Sequence, residues 1–342
     1  MAASNAVMRA FAPRRIGAIY VWMLIVLIFA LWIPELFLRS STPQTILNQS
    51  TVTAIVALSV VFPLVVGVFD LSVGAMVGLS AVVAAWFLGN TALPVPMVVL
   101  LTLLVGVFVG LLNSFVVLKL GIDSFIGTLA TGAILGALTI AVSDNKIMTE
   151  GISGDFSALS AGMIGGLQFP VFYMLLLMIV QGILLERTRP GRLMYAVGFG
   201  PEATRLAGVS VTRLKVTALV SCSVIAAFAG LVLLGRVQAA DPMGGVSYMI
   251  PAFSAAFLGA TQFRDGRFNP WGTVVAVLLL ATGSYGLLLS GIGQWAPQVF
   301  QGIVLIAAVG VTVAQRRVKP VRSDDPPSPA ETVDLSVSGR AS

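Results

Sequence analysis

Few side chains in this 342-residue sequence could carry out bond-making chemistry. There is no histidine, which removes imidazole acid–base catalysis and histidine-ligated zinc, copper or haem. The one cysteine, Cys222, can form neither a disulfide within the chain nor a cysteine cluster for metal. No Gly-x-x-x-x-Gly-Lys-Ser/Thr run is present, so the chain lacks the loop that cradles nucleotide phosphates in P-loop ATPases. The expectation is a non-catalytic chain with no cofactor and no metal.

What remains is a set of mostly neutral polar residues inside apolar stretches, with aromatic rings near them. Asp70, Ser72, Asn113, Phe125, Thr128, Phe253 and Ser254 are the candidates for lining a path for a neutral, hydroxyl-rich solute. Aromatic faces stack on sugar rings, and hydroxyl and amide groups exchange hydrogen bonds with sugar hydroxyls. Each polar residue taken singly also fits an interhelical hydrogen bond. Asp70 and Ser72 precede an apolar run, the position of helix N-caps, so helix capping stands beside a solute or gating role. Glycine pairs at helix-packing spacing (Gly74/Gly78, Gly106/Gly110, Gly132/Gly136) fit close helix contacts or, alternatively, a moving interface.

These residues need a scaffold, and composition says which kind. Of all residues 57% are hydrophobic and only 10% charged, against about 25% charged in a soluble domain. Neither a water-soluble globule nor a disordered chain fits. The fold class expected is an all-α polytopic membrane protein. Ten apolar segments qualify as spans: 16–38, 48–67, 72–89, 96–118, 124–142, 169–185, 216–235, 249–262, 271–290 and 297–314. The eighth is short, with Pro251 at its start and Gly259 near its end, and could be broken. The first is too long for a signal-peptide core and is expected to remain as an anchor.

Threading ten crossings from a cytoplasmic N-terminus gathers nearly all Lys and Arg on one side. Only Arg39, Lys146 and Arg236 fall on the other. Under the positive-inside rule this places both termini in the cytoplasm, and the net charge of +6 reflects cytoplasmic loops rather than nucleic-acid binding. The organisation expected is a cytoplasmic segment 1–15, a membrane domain 16–318 and a disordered cytoplasmic tail 319–342. Carboxylates are scarce within the spans, which disfavours a carrier driven by ions or protons.

The long basic loop 186–215 can be read in two ways. It is a charged loop that fixes topology, or a docking surface made of short helices. Residues 201–207 can form a helix with Glu202 at its start and Gly208 at its end.

At these residues the chain resembles the permease subunits of bacterial ABC importers for simple sugars (the ribose/galactose/xylose type), which are related to branched-chain amino acid permeases. The family's Gly-Gly-Ile-Asp-Leu-Ser-Val-Gly motif is matched by Gly67 to Gly74, with Val68 and Phe69 as departures. Its Arg-Thr-x-x-Gly-Arg-x-x-x-Ala-x-Gly stretch is matched by 187–198, and Ala-Thr-Arg-Leu-x-Gly by Ala203 to Gly208. Further matches are Ala227, Ala229 and Gly230, and Leu258-Gly259-Ala260-Thr261 leading to Gly266-Arg267; similarity covers roughly residues 45–318.

The resemblance implies a type II ABC importer-like permease in the bacterial cytoplasmic (inner) membrane, translocating a pentose, hexose, deoxysugar or polyol. The 186–215 loop becomes the region coupled to a separate ATPase subunit, carried by Arg187, Arg189, Gly191, Arg192, Glu202, Ala203, Thr204, Arg205 and Gly208. The implied partners are a second permease copy or a paralogue, the ABC ATPase subunit, an extracytoplasmic sugar-binding protein and the lipid bilayer. The rival readings are an ion-coupled secondary carrier, a branched-chain amino acid ABC permease, a channel-like facilitator and a membrane-embedded enzyme.

Overall fold

Inside hydrocarbon every backbone N–H and C=O needs a partner from the chain itself, so apolar runs of this length fold as helices. The structure, a computed structural model, describes residues 17–261 and 266–317. The expected segments 1–15 and 319–342, and Arg264, lie outside the described residues.

The helices in chain order are α1 (Gly17–Trp32), α2 (Pro34–Phe37), α3 (Ser41–Val65), α4 (Val73–Asn90), α5 (Val95–Ser114), α6 (Ser124–Ser143), α7 (Gly154–Ala161), α8 (Phe169–Arg187), α9 (Arg189–Phe199), α10 (Pro201–Leu206), α11 (Val211–Val237), α12 (Met249–Ala260), α13 (Pro270–Leu289) and α14 (Ala296–Arg317). A π-helical turn, Phe115–Lys119, extends α5, and a 3₁₀ turn, Val246–Tyr248, leads into α12. The strands among the described residues are one small antiparallel hairpin, β1 (Met163–Ile164) and β2 (Leu167–Gln168).

Among the described residues seven helices are long and apolar enough to cross a membrane: α3, α4, α5 with its π turn, α6, α8, α11 and α13. The first, eighth and tenth expected spans coincide with shorter apolar helices, Ala18–Trp32, Val246–Ala260 and Ala296–Gly310. The eighth is continuous over 246–260: Pro251 lies in the first turn of α12, where a missing N–H costs no helical bond.

α3 is the axis of the bundle, with Val52 and residues 54–58 fully buried. α11 lies against α3, α4 and α5. One of the glycine pairs allows this closeness, and a second allows the approach of the turn after α11. A Cβ on Gly110 would sit 2.5 Å from Val220 Cα on α11, and one on Gly106 would sit 2.9 Å from Ala227 Cβ. Gly74 and Gly78 face Gly245, whose own Cβ would lie 2.3 Å from the Gly78 nitrogen. The third pair departs from close packing: Gly132 touches Ser72, but nothing lies within 4 Å of a Cβ at Gly136. Gly110→Leu therefore overpacks the α5–α11 crossing, at a cost of about 1–3 kcal/mol, whereas Gly136→Ala has room. Thermal unfolding of the two purified variants checks this: a lower midpoint is expected for the first and an unchanged one for the second.

Candidate functional site

The most ordered polar feature is built on the seven residues between α3 and α4. Gly67 follows the end of α3, and its φ of +75° is the left-handed conformation of a helix stop. The Val68 N–H returns to the Pro63 carbonyl at 3.0 Å, closing the six-to-one bond of a Schellman turn. The chain then runs without regular structure through Phe69 and Asp70 and turns at Leu71 and Ser72 before α4 begins.

Each turn of this loop is held by a neighbouring helix. The Phe69 N–H donates to Ser124 Oγ (3.1 Å) and the Leu71 N–H to Thr128 Oγ1 (2.9 Å), both at the start of α6. Asp70 Oδ1 accepts from the Ser72 N–H (3.1 Å), the Ser72 hydroxyl (2.5 Å) and Asn113 Nδ2 on α5 (3.2 Å). Asn113 Nδ2 also donates to Ser72 Oγ at 2.8 Å. Asp70 is 1% exposed, and Ser72 and Asn113 are fully buried.

The capping expectation needs correction here. Ser72 occupies the N-cap position of α4, yet its side chain makes no cap bond. Its backbone is already α-like (φ −73°, ψ −9°), and its hydroxyl turns to Asp70 instead. Asp70 likewise closes a local turn onto Ser72 rather than reaching the second or third N–H of the helix.

Among the seven expected pathway residues, the structure gathers Asp70, Ser72, Asn113 and Thr128 at one place. Phe125 joins at the rim, its ring edge-on to Phe69 at 6.3 Å. Phe253 and Ser254 stand apart on α12: Phe253 packs in the main core, and Ser254 Oγ donates to the Ile250 carbonyl at 2.7 Å. The α12 ring that does reach the loop is Phe257, stacked on Phe69 at 6.4 Å. Sequence reading missed Ser124 and Phe257. Ser124 carried a signal, because Asp123 opens α6 as an N-cap, accepting from the Phe125 and Ile126 N–H groups. Phe257 carried none, being one apolar residue among many.

The second feature is the 186–215 segment. Thr188 caps α9, accepting from the Gly191 N–H at 3.3 Å. Gly191 must lack a side chain, because a Cβ there would lie 2.2 Å from the Leu184 carbonyl of α8. α9 is amphipathic, with Met194 and Val197 buried while Arg189 and Arg192 are exposed. Arg192 Nη1 donates to the Arg187 carbonyl at 3.1 Å, and the Tyr195 hydroxyl to the Phe268 carbonyl at 2.7 Å. At the far end of α9 a Cβ on Gly198 would fall 2.0 Å from the Val65 carbonyl, the last residue of α3. The loop segment thus rests directly on the end of the helix that leads to Asp70.

α10 spans Pro201–Leu206, and Gly208 (φ +81°) follows it, as the residues predict. Glu202 and Arg205 pair at 2.8 Å and are 74% and 70% exposed. Thr204 is buried, its hydroxyl donating to the Gly200 carbonyl. Ala203 is exposed. Two apolar residues that sequence reading passed over project from this surface: Leu206 is 87% exposed and Phe199 69%. The Arg267 guanidinium sits 4.8 Å above the Phe199 ring. Between the two features lies a cavity of about 330 Å³ walled by Leu64, Gly67, Phe69, Tyr195, Phe199, Phe257, Arg267 and Phe268, among others.

Comparison with known proteins gives a consistent result. The profile of the family described as branched-chain amino acid transport system / permease component matches residues 42–309. The ribose import permease protein of Bacillus subtilis is 31% identical over 297 residues, covering 86% of this chain and 92% of that protein. The D-allose transport system permease protein of Escherichia coli is 30% identical over 295 residues, covering 86% and 90%. The galactose/methyl galactoside import permease protein of Salmonella typhimurium is 30% identical over 312 residues, covering 86% and 93%. No solved structure matches the chain significantly.

Proposed function

Since this chain belongs to the branched-chain amino acid transport system / permease component family and is a multi-pass membrane protein, we propose that it is the membrane subunit of an ATP-driven importer for a simple sugar. The observation that carries this reading is the agreement of relatives named for ribose, allose and galactose import, each matching 86% of the chain. The solute is then a pentose, hexose, deoxysugar or polyol, moved across the cytoplasmic membrane. Ten crossings with both termini in the cytoplasm put α9 and α10 on the cytoplasmic side and the 143–168 segment outside. An ABC ATPase docks on 186–215, an extracytoplasmic sugar-binding protein delivers the solute, and a second copy or a paralogue completes the pathway.

The geometry supplies a route for coupling. Movement imposed on α10 passes along α9 to Gly198 and hence to the end of α3. The Asp70 loop follows, because it is bonded to both α5 and α6. Rigid-body motion of this kind changes access to a pathway without any chemistry in the permease itself.

The test is reconstitution of the chain with its ATPase in proteoliposomes, with binding protein inside or outside as required and D-ribose, D-allose, D-galactose and L-leucine as solutes. ATP-dependent sugar accumulation is expected. Accumulation driven by a sodium or proton gradient without ATP overturns the reading in favour of a secondary carrier. Transport of L-leucine alone selects the amino acid branch to which the family description points.

The same system measures Glu202→Gln with Arg205→Gln. An exposed ion pair contributes at most about 1 kcal/mol to stability, so thermal unfolding should barely change. Solute-stimulated ATPase activity should fall several-fold. Unchanged activity removes the charged face of α10 from the coupling surface.

A further inference from the structure

Asp70 combines three properties that do not suit an ionised carboxylate. It is 1% exposed in the single chain, so the protein itself removes it from solvent. The ion pairs among the described residues, Lys146–Asp144 and Arg205–Glu202, both lie at the surface, and neither involves it. Its partners are also unevenly shared: Oδ1 takes three donors while the buried Oδ2 takes none. A carboxylate spreads its negative charge over both oxygens and attracts donors to both. A carboxylic acid has one carbonyl oxygen that accepts and one hydroxyl that must donate.

Beside it is the complementary defect. Asn113 gives its Nδ2 to Asp70 Oδ1 and Ser72 Oγ, yet its own Oδ1 is buried with no donor. One proton on Asp70 would serve both unpartnered oxygens. Buried polar atoms are rarely left unpaired, and an unpaired charge at this depth is far costlier than a neutral acid.

We propose that Asp70 is held as a neutral carboxylic acid, its Oδ2–H directed to Asn113 Oδ1, and that it is a positioning residue fixing the α3–α4 loop to α5 without placing charge inside the membrane domain. The groups facing it are Ser72 of α4, Asn113 of α5 and Cys222 of α11. Cys222 is the titratable one; its thiol lies within reach of Asp70 but is turned to Ser59 Oγ of α3, to which it donates at 3.8 Å. Thr128 of α6 holds the neighbouring Leu71 N–H. None of these groups supplies a positive charge.

An asparagine reproduces the neutral acid at this position: its carbonyl takes the three donors and its amide N–H serves Asn113. Alanine strands those donors instead. The proposal goes beyond the transport reading, and its first test does not depend on it. Infrared spectra of the full-length chain in lipid nanodiscs at neutral pH should show the carbonyl band of a protonated carboxylic acid. The band should shift on labelling aspartate with ¹³C at the side-chain carboxyl and on exchange into heavy water, and it should vanish in Asp70→Asn. Absence of a labelled-aspartate acid band in folded wild-type chain overturns the proposal.

The second test is sugar uptake by the assembled transporter at equal membrane abundance. Asp70→Asn should stay within about two-fold of wild type and Asp70→Ala should fall by about ten-fold or more. Equal loss in both variants overturns it. Should Asp70→Asn not accumulate, the isotope-shifted band of the wild-type chain decides alone.

Discussion

Gly198→Val is expected to reach the membrane intact and to lose most of its import. The last turn of α9 lies so close to the end of α3 that even a Cβ would come within 2.0 Å of the Val65 carbonyl. The obstacle is backbone, which cannot swing aside as a side-chain tip does, so α9 must lift off or α3 must end differently. Overpacking of this sort costs about 1–3 kcal/mol, enough to shift the docked arrangement roughly 5- to 150-fold. The contact lies at the edge of the bundle, since Gly198 itself is exposed, so the helices buried around α3 need not move. Uptake in cells should therefore fall by about five-fold or more while membrane abundance remains near wild type. Gly208→Ala is the contrasting substitution: nothing lies within 4 Å of its Cβ, and the strain of φ +81° stays local to the end of α10. Normal uptake by Gly198→Val would show that the α9–α3 contact transmits nothing.

Leu206→Asp is expected to separate the chain from its ATPase. Leu206 is 87% exposed at the end of a helix that carries Glu202 and Arg205 on its solvent side. A leucine held out on a charged loop outside the expected spans has no packing role in the single chain, so replacing it should leave the unfolding temperature unchanged. As an apolar anchor in a partner's pocket, its truncation removes about 2 kcal/mol or more of binding, and a buried carboxylate costs further. Co-purification of the ATPase with the Leu206→Asp chain should be lost and solute-stimulated hydrolysis should drop to the basal rate. Leu206→Met, which retains apolar volume, should restore both. Undiminished co-purification would move the docking surface away from α10.

The sequence by itself determined the class of this protein and the positions of its seven long apolar helices. Hydrophobic runs are local in the chain, and hydrocarbon leaves the backbone only one way to satisfy itself along them. One stop was legible for the same reason. Gly208 follows α10 with a φ of +81°, which a glycine adopts without steric cost. In the 186–215 segment the helix expected over 201–207 is present as α10, because its end signal at Gly208 acts within a turn of itself.

Only the tertiary structure decided which polar side chains meet. Asp70 and Asn113 are 43 residues apart in the chain, and no local rule brings α5 against the loop before α4. That approach is set by packing of α4, α5 and α11 along their glycine faces. The same packing turned the Ser72 hydroxyl from a cap into a donor to Asp70, separated Phe253 from the cluster and put Phe257 on Phe69 in its place. Periodicity specifies the face a residue occupies on its own helix. The partner it finds depends on how closely two backbones can approach, and at Gly110 and Gly198 that distance is set by the absence of a single carbon atom.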